Sequence, residues 1–272
     1  MNSEQKLLTD YYEKEKTYQN AISFPFEIKP DEFMKPEDRL PEPFTIAVPK
    51  SKGEFSEGIM RWAQSYGFDY EDTSGKRLLF TNINGSRLFL ERSSDILCYL
   101  QNGYVDYGIL GAEKIFENQF PFAPYSPIQP LCFGQSYFCL GFKDDTYPTF
   151  SSPEGLVDYL ILQASKGKSI ATSLPKTLSK VLNDLQQQSG YGFTRSNFFL
   201  KDGSIENSID LLPDMVCAIA DIVESGDTSL ANGIRADYRL VQIPGAFVVK
   251  FDFQLRQNYE NSLPRSPWFM LQ

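Results

Sequence analysis

The chain repeatedly runs a short apolar segment into a glycine- or hydroxyl-bearing break and then into a helical pattern, and this order constrains the fold more than any other feature. Phe44-Thr-Ile-Ala-Val-Pro is the first such segment. It leads through Lys50-Ser-Lys-Gly-Glu-Phe-Ser into a helix over Glu57 to Tyr66, capped by Ser56, with Ile59, Met60, Trp62 and Ala63 on its apolar face. Leu78-Leu-Phe and Leu88-Phe-Leu flank an Asn82 to Ser86 turn and read as a hairpin. A helix from Ser94 ends at Asn102-Gly103 and is followed by a strand ending in Gly108-Ile-Leu-Gly111. Further on, Phe133 to Phe142 reads as a strand, Ser152 caps a helix over Glu154 to Ala164, and Lys168 to Thr172 forms a strand. A helix over Leu174 to Gln188 has Pro175 in its first turn, and the apolar run Met215 to Val223 is a buried strand. Arg239 to Ile243 and Ala246 to Phe253 read as strands returning to the first part of the chain. Alternating strands and helices predict α/β layers with mainly parallel sheets.

Proline punctuation divides the chain. Pro25, Pro30, Pro36, Pro41 and Pro43 forbid long regular structure before the first strand, so residues 1–43 are expected to be an N-terminal extension. That extension either packs on its own domain or meets a partner, and its removal is expected to leave the core folded. The proline-rich stretch Pro121 to Pro130 is expected to carry the chain away from the first sheet, with a hinge nearby. The resulting division is 44–132 plus 234–272 as lobe I and 133–233 as lobe II.

Composition removes several chemistries. The chain of 272 residues has no histidine, which excludes Ser-His-Asp and Cys-His nucleophilic catalysis and the usual zinc hydrolase sites. Carboxylate chemistry or catalysis by positioning is left. A formal charge of −9 argues against general nucleic-acid binding, so any phosphate site must be local. Cys98, Cys132, Cys139 and Cys217 have no metal-ligand spacing and are expected to be reduced and buried, in a cytoplasmic chain. The first residues have no apolar export core, and no segment is apolar enough to span a bilayer as a helix.

The stretch from Asp221 to Ile234 carries the sharpest local signal. A buried strand stops at Glu224-Ser-Gly-Asp-Thr-Ser229, where Gly226 permits close approach of a ligand and Ser225, Thr228 and Ser229 supply hydroxyl donors. Such a loop either cradles a phosphate or merely caps the next helix. Lys50, Lys52 and Gly53 after the first strand offer a second place for an anion, or a solvated loop.

Seven pieces in one order carry a resemblance: Ile46-Ala-Val-Pro-Lys, Gly75-Lys-Arg-Leu, Arg92-Ser-Ser-Asp-Ile, Asn102 to Gly111, Gly167-Lys-Ser-Ile-Ala-Thr-Ser-Leu-Pro, Gly203-Ser-Ile-Glu and Asp221 to Ile234. From Phe44 to Phe253 the chain resembles the catalytic core of ATP phosphoribosyltransferase, the family that begins histidine biosynthesis. The resemblance implies a two-lobe fold like type 2 periplasmic binding proteins. It also implies joining of N1 of ATP to C1′ of phosphoribosyl pyrophosphate (PRPP), with release of pyrophosphate and help from Mg²⁺. By this resemblance Glu224, Ser225, Gly226, Asp227, Thr228 and Ser229 cradle the PRPP 5′-phosphate, with Asp221 near the ribose. Lys50, Lys52, Arg77, Arg92, Asp95, Asp106, Gly108 and Gly111 would line the other side of a cleft between the lobes, and Thr172, Ser173 and Pro175 would contribute from lobe II. Glu54, Leu90, Ser169 and Cys217 depart from the family pattern. They motivate two alternatives: a weakened paralogue that binds a nucleotide or phosphosugar and regulates a partner, and a transferase with another nucleophile. Too few residues follow Phe253 for the regulatory domain of long-form members. A short form is expected, as a homo-oligomer with a regulatory subunit resembling histidyl-tRNA synthetase.

Overall fold

The protein, seen as a computed structural model, is described over residues 34–35, 38–50, 53–70, 79–118, 125–143, 148–150, 152–186, 192–201, 205–223 and 231–251. It divides into two compact units, one comprising residues 28–134 and 245–272 and the other 135–244 with 1–27.

In the first unit, β1 (Thr45–Pro49) lies inside a six-stranded sheet. The other strands are β2 (Leu79–Thr81), β3 (Arg87–Glu91), β4 (Tyr107–Gly111), β5 (Tyr125–Pro130) and β11 (Ala246–Phe251), in the order β2-β3-β1-β4-β11-β5. The parallel arrangement expected from the sequence forms the middle, with β1 parallel to both β3 and β4. The pairings β2–β3, β4–β11 and β11–β5 extend it antiparallel. The β2–β3 hairpin is present as expected. Its turn is fixed by Asn82, whose Oδ1 accepts from the amides of Asn84 (3.0 Å) and Ser86 (2.9 Å), while its Nδ2 donates to the Tyr66 carbonyl. Three helices, α1 (Gly53–Ser65), α2 (Ser93–Gln101) and α3 (Ala112–Asn118), follow β1, β3 and β4.

Some boundaries differ for local physical reasons. α1 starts at Gly53, whose φ of 66° is open to glycine, so Ser56 lies inside the helix instead of capping it. The proline-rich stretch does not lead straight out of the sheet, because Tyr125–Pro130 is its edge strand. Pro127 and Pro130 lack an amide hydrogen, and a strand with a ladder on one side only tolerates that. The described part of the N-terminal extension packs on its own unit. Leu40 is buried and donates its amide to Tyr66 Oη (2.7 Å), and the Met34 amide reaches the Ile128 carbonyl. Arg39 lies over the Tyr66 ring at 4.4 Å and bonds Glu42 at 2.9 Å. The core beneath is aromatic: Phe44 meets Tyr66, Phe68 and Tyr107 edge-on.

In the second unit β6 (Ser136–Lys143), β7 (Ser169–Thr172), β8 (Phe198–Leu200), β9 (Val216–Val223) and β10 (Ile234–Ile243) form a sheet in the order β10-β6-β9-β7-β8. Here β7 is parallel to β8 and β9, while β6 runs antiparallel to both β9 and β10. β10 corrects the sequence expectation. The apolar pattern groups it with the strands returning to lobe I, but it pairs along β6 and is an edge of the second sheet, so only β11 returns, after Gly245. Helices α4 (Pro153–Ser165), α5 (Pro175–Leu185) and α6 (Ser208–Leu211) belong to the same unit. Ser152 caps α4 as expected, its Oγ accepting from the Gly155 amide. α5 is amphipathic, with Leu178, Val181 and Leu182 fully buried.

The cysteines are all free, as expected, but only Cys139 is fully buried. Cys98 is exposed because Ile96, Leu97 and Leu100 take the inner face of α2, and Cys132 is exposed between buried Leu131 and Phe133. Among the described residues no helix is long and apolar enough to cross a membrane.

Candidate functional site

Open α/β sheets bind ligands beyond the carboxyl ends of their parallel strands, where helix starts and loops converge. In the second unit that end is built by β7, β8 and β9. The register sets Thr172 beside both Leu200 and Ala220, so Asp221 and Lys201 continue from strand positions level with Thr172. Thr172 is fully buried, and its Oγ1 accepts from the Leu174 amide (3.0 Å), which turns the chain directly into α5 with Pro175 as its first residue. Thr172, Ser173, Pro175 and Asp221 are therefore brought to one end of one sheet. Asp221 Oδ1 accepts from the next amide, Ile222 N, at 2.9 Å. The predicted phosphate loop, Glu224, Ser225, Gly226, Asp227, Thr228 and Ser229, follows β9 in the sequence and lies outside the described residues.

In the first unit the carboxyl ends of β3, β1 and β4 lie side by side. The Lys50 amide bonds the Glu91 carbonyl (2.8 Å), and Lys50 and Arg92 are exposed at adjacent strand ends. Asp95 sits in the first turn of α2, and Gly111 ends β4. Glu91 lies next to Tyr99, whose hydroxyl pKa is raised chiefly by the Glu91 charge. Lys52 and Arg77 lie outside the described residues.

Two sequence-predicted site residues are elsewhere. Asp106 precedes β4 at the amino end of the strands, where its Oδ2 accepts from both the Thr45 amide and the Thr45 hydroxyl at 2.7 Å. The parallel register of β4 on β1 sets its carboxylate beside these two donors, and the charged acceptor ties the two strand starts together. Gly108 is a packing glycine: a Cβ on it would lie 2.6 Å from Ile96 Cγ2 and 3.0 Å from Leu100 Cδ1, so its absence lets α2 settle on β4. Gly111 differs, since the nearest atoms a Cβ there would meet all belong to the Glu113 carboxylate, 2.2 Å away at Oε2. Glu113 is a charged residue at this strand end that the sequence reading does not single out. Its one signal is a carboxylate two residues beyond the glycine that ends a buried strand.

The departures from the family pattern fall in different kinds of place. Glu54 is in the first turn of α1, and Leu90 is buried in the core of the first unit. Ser169 and Cys217 meet at the amino ends of β7 and β9, Cys217 Sγ lying 3.5 Å from the Ser169 carbonyl, and burial pushes the Cys217 thiol up to about 11.

Two α/β units with helix starts and polar residues at the carboxyl ends of their parallel strands place this chain among the open-sheet α/β proteins, a class whose ligands bind at such ends. The family model for ATP phosphoribosyltransferase matches residues 92–261. The chain belongs to the ATP phosphoribosyltransferase family, and so to the glycosyl-transferring enzymes. It is 25% identical to the ATP phosphoribosyltransferase of Lactococcus lactis subsp. cremoris over 78% of this chain and 92% of the relative. It is 30% identical to that of Kocuria rhizophila over 70% of this chain and 59% of the relative. A solved structure from Thermotoga maritima, the ATP phosphoribosyl transferase (HisG:HisZ) complex, aligns over 80% of this chain and 92% of that one, with 22% identity and a TM-score of 0.49.

Proposed function

We propose that the protein transfers the phosphoribosyl group of PRPP to N1 of ATP, releasing pyrophosphate, as the first step of histidine biosynthesis. The observation that carries this is the family match over residues 92–261, which contains Arg92, Asp95, Thr172, Ser173, Pro175, Asp221 and the 224–229 loop in order. In this reading the end of β9 and its loop take PRPP. Lys50 and Arg92, with Lys52 and Arg77, take anionic groups of ATP. Displacement at C1′ passes through an oxocarbenium-like state, and its demands are alignment of two anionic substrates and neutralisation of the departing pyrophosphate. Neither demand needs histidine.

Mg²⁺, when bound, supplies charge neutralisation on the pyrophosphate. Asp221 offers one carboxylate at the right strand end, which fits an ion carried in largely by substrate phosphates and water. Leu90, Ser169 and Cys217 lie in the core or at the amino ends of strands, which supports turnover, whereas Glu54, in the first turn of α1 beyond Lys50, is the departure that favours the regulatory reading. The reading extends to a homo-oligomer with a regulatory subunit resembling histidyl-tRNA synthetase.

The test is incubation with ATP, PRPP and Mg²⁺, with and without such a subunit, followed by mass analysis. Phosphoribosyl-ATP is expected. Tight PRPP binding with no product would establish a regulatory paralogue instead, and a product formed only with another purine would reassign the nucleophile.

A further inference from the structure

Gly111 and Glu113 form a seat at the carboxyl end of β4 to which the assignments above give no role for the carboxylate. A Cβ on Gly111 would fall 2.2 Å from Glu113 Oε2, 2.5 Å from Oε1 and 2.7 Å from Cδ, so the carboxylate lies folded back over the strand end in space that only glycine leaves vacant. The arrangement is anchored from beneath. The Ala112 amide, between the two residues, donates to the Gly245 carbonyl at 2.9 Å, and Ala112 is fully buried. Glu113 itself is half-buried in the first turn of α3. On the neighbouring strand β1 the chain continues into exposed Lys50, and one strand further β3 ends in Glu91 and continues into exposed Arg92. The carboxyl end of this sheet thus presents exposed Lys50 and Arg92 after two strands, with Glu91 and Asp95 flanking Arg92, and the Glu113 carboxylate after the third. A carboxylate repels phosphate and accepts hydrogen bonds, whereas lysine and arginine do the reverse.

We propose that Glu113, seated by Gly111, is a specificity residue that accepts hydrogen bonds from the nucleoside part of the nucleotide substrate, while Lys50 and Arg92 face its phosphates. This rests on the assignment of the first unit's strand ends to ATP. The groups it would recognise are donors: the ribose hydroxyls or the exocyclic amine of the base.

Gly111 provides an unusual test because the clash an alanine would create is with the flexible end of one side chain and not with the core. Gly111→Ala should therefore displace the carboxylate without unfolding the protein. Calorimetric titrations of ATP, 2′-deoxy-ATP, 3′-deoxy-ATP and purine riboside triphosphate, alongside PRPP, are made on the wild type, Glu113→Ala, Gly111→Ala and the double variant. Each single variant is expected to weaken ATP about 10-fold or more. The double variant should be no weaker than Glu113→Ala, PRPP binding should be unchanged, and the wild-type preference for ATP over the analogue lacking the recognised donor should disappear. Loss of preference against a deoxy analogue identifies a hydroxyl, and against purine riboside triphosphate the amine; either supports the proposal. Unchanged ATP affinity in Glu113→Ala, additive losses in the double variant, or equal loss of PRPP would overturn it. A wild type that turns over ATP beside such a result overturns this inference alone, and a wild type that binds no ATP overturns it together with the proposed function.

Discussion

The two ends of the parallel strands have been put to opposite uses. At the amino ends polar groups are spent on the chain itself: Asp106 holds Thr45, Cys217 lies against the Ser169 carbonyl, and Lys168 Nζ reaches the Pro213 carbonyl at 3.0 Å. Buried tyrosines and the Leu40 segment are packed at the same end of the first sheet. At the carboxyl ends Lys50 and Arg92 are exposed, and helix starts follow closely. Under the proposed function the difference separates stability from substrate binding, and it can be broken by substitutions that should affect one without the other.

The largest effect is expected from truncation. Removing residues 1–43 uncovers the site of Leu40 and deletes its bond to Tyr66, the Arg39 contact with that ring and the Arg39 bond to the Ser65 carbonyl. Urea denaturation should show a loss of more than about 3 kcal/mol, whereas a cut before Met34 keeps those contacts and should cost less. Next comes Gly108→Ala, which drives a methyl into Ile96 and Leu100. It should cost about 1–3 kcal/mol by the same measurement, while Gly111→Ala on the same strand should cost far less. Asp106→Ala removes the acceptor for two Thr45 donors and should cost about 1–2 kcal/mol, with ATP and PRPP affinities unchanged. Arg92→Ala is its mirror image: stability within about 0.5 kcal/mol, with nucleotide affinity reduced in calorimetry. If Asp106→Ala weakened substrate binding as much as Arg92→Ala, the division between the two ends would be wrong.

How far the site is legible in the sequence follows the same division. The strand ending at Val223, the cap at Ser152, the hairpin around Asn82 and the turn into Pro175 are set by local residue types, and all are present. Asp106 and Gly108 mislead because both stand in the same strand-forming run as Gly111. Which end of a strand a residue occupies, and which helix crosses it, depends on register with β1 and on α2, contacts made across the chain. β10 misleads for a similar reason: its composition says strand, but its partner β6 is far away in sequence. The place of Glu113 is defined by a missing Cβ two residues earlier. That relation is spatial, and periodicity carries no trace of it.

The smallest effect concerns alkaline pH, and within the first unit it too should come from one end. Tyr66, Tyr107 and Tyr125 all have hydroxyl pKa values raised above 10.0, in each case chiefly by burial. Tyr107 and Tyr125 begin β4 and β5 at the amino end, where Lys250 faces Tyr107 and Phe251 faces Tyr125, and Tyr66 packs on Phe44 just before β1. A folded-state pKa above the unfolded value means that the native protein holds its proton more tightly. That contribution is complete below the unfolded pKa of about 10 and is lost as pH rises through the folded value. Melting temperature should therefore be flat through neutral pH with respect to these groups and fall above pH about 10. Tyr107→Phe is the cleanest variant, since the nearby Asp106 charge reinforces the burial effect and the ring can stay in place; it should make the alkaline fall shallower. Tyr99, in the last turn of α2 with its hydroxyl beside Glu91 at the carboxyl end of β3, is raised chiefly by the Glu91 charge, which solvent screens there, and should add little to that slope. A Tyr99→Phe variant that flattened the curve as much as Tyr107→Phe would show that the carboxyl end carries stability as well.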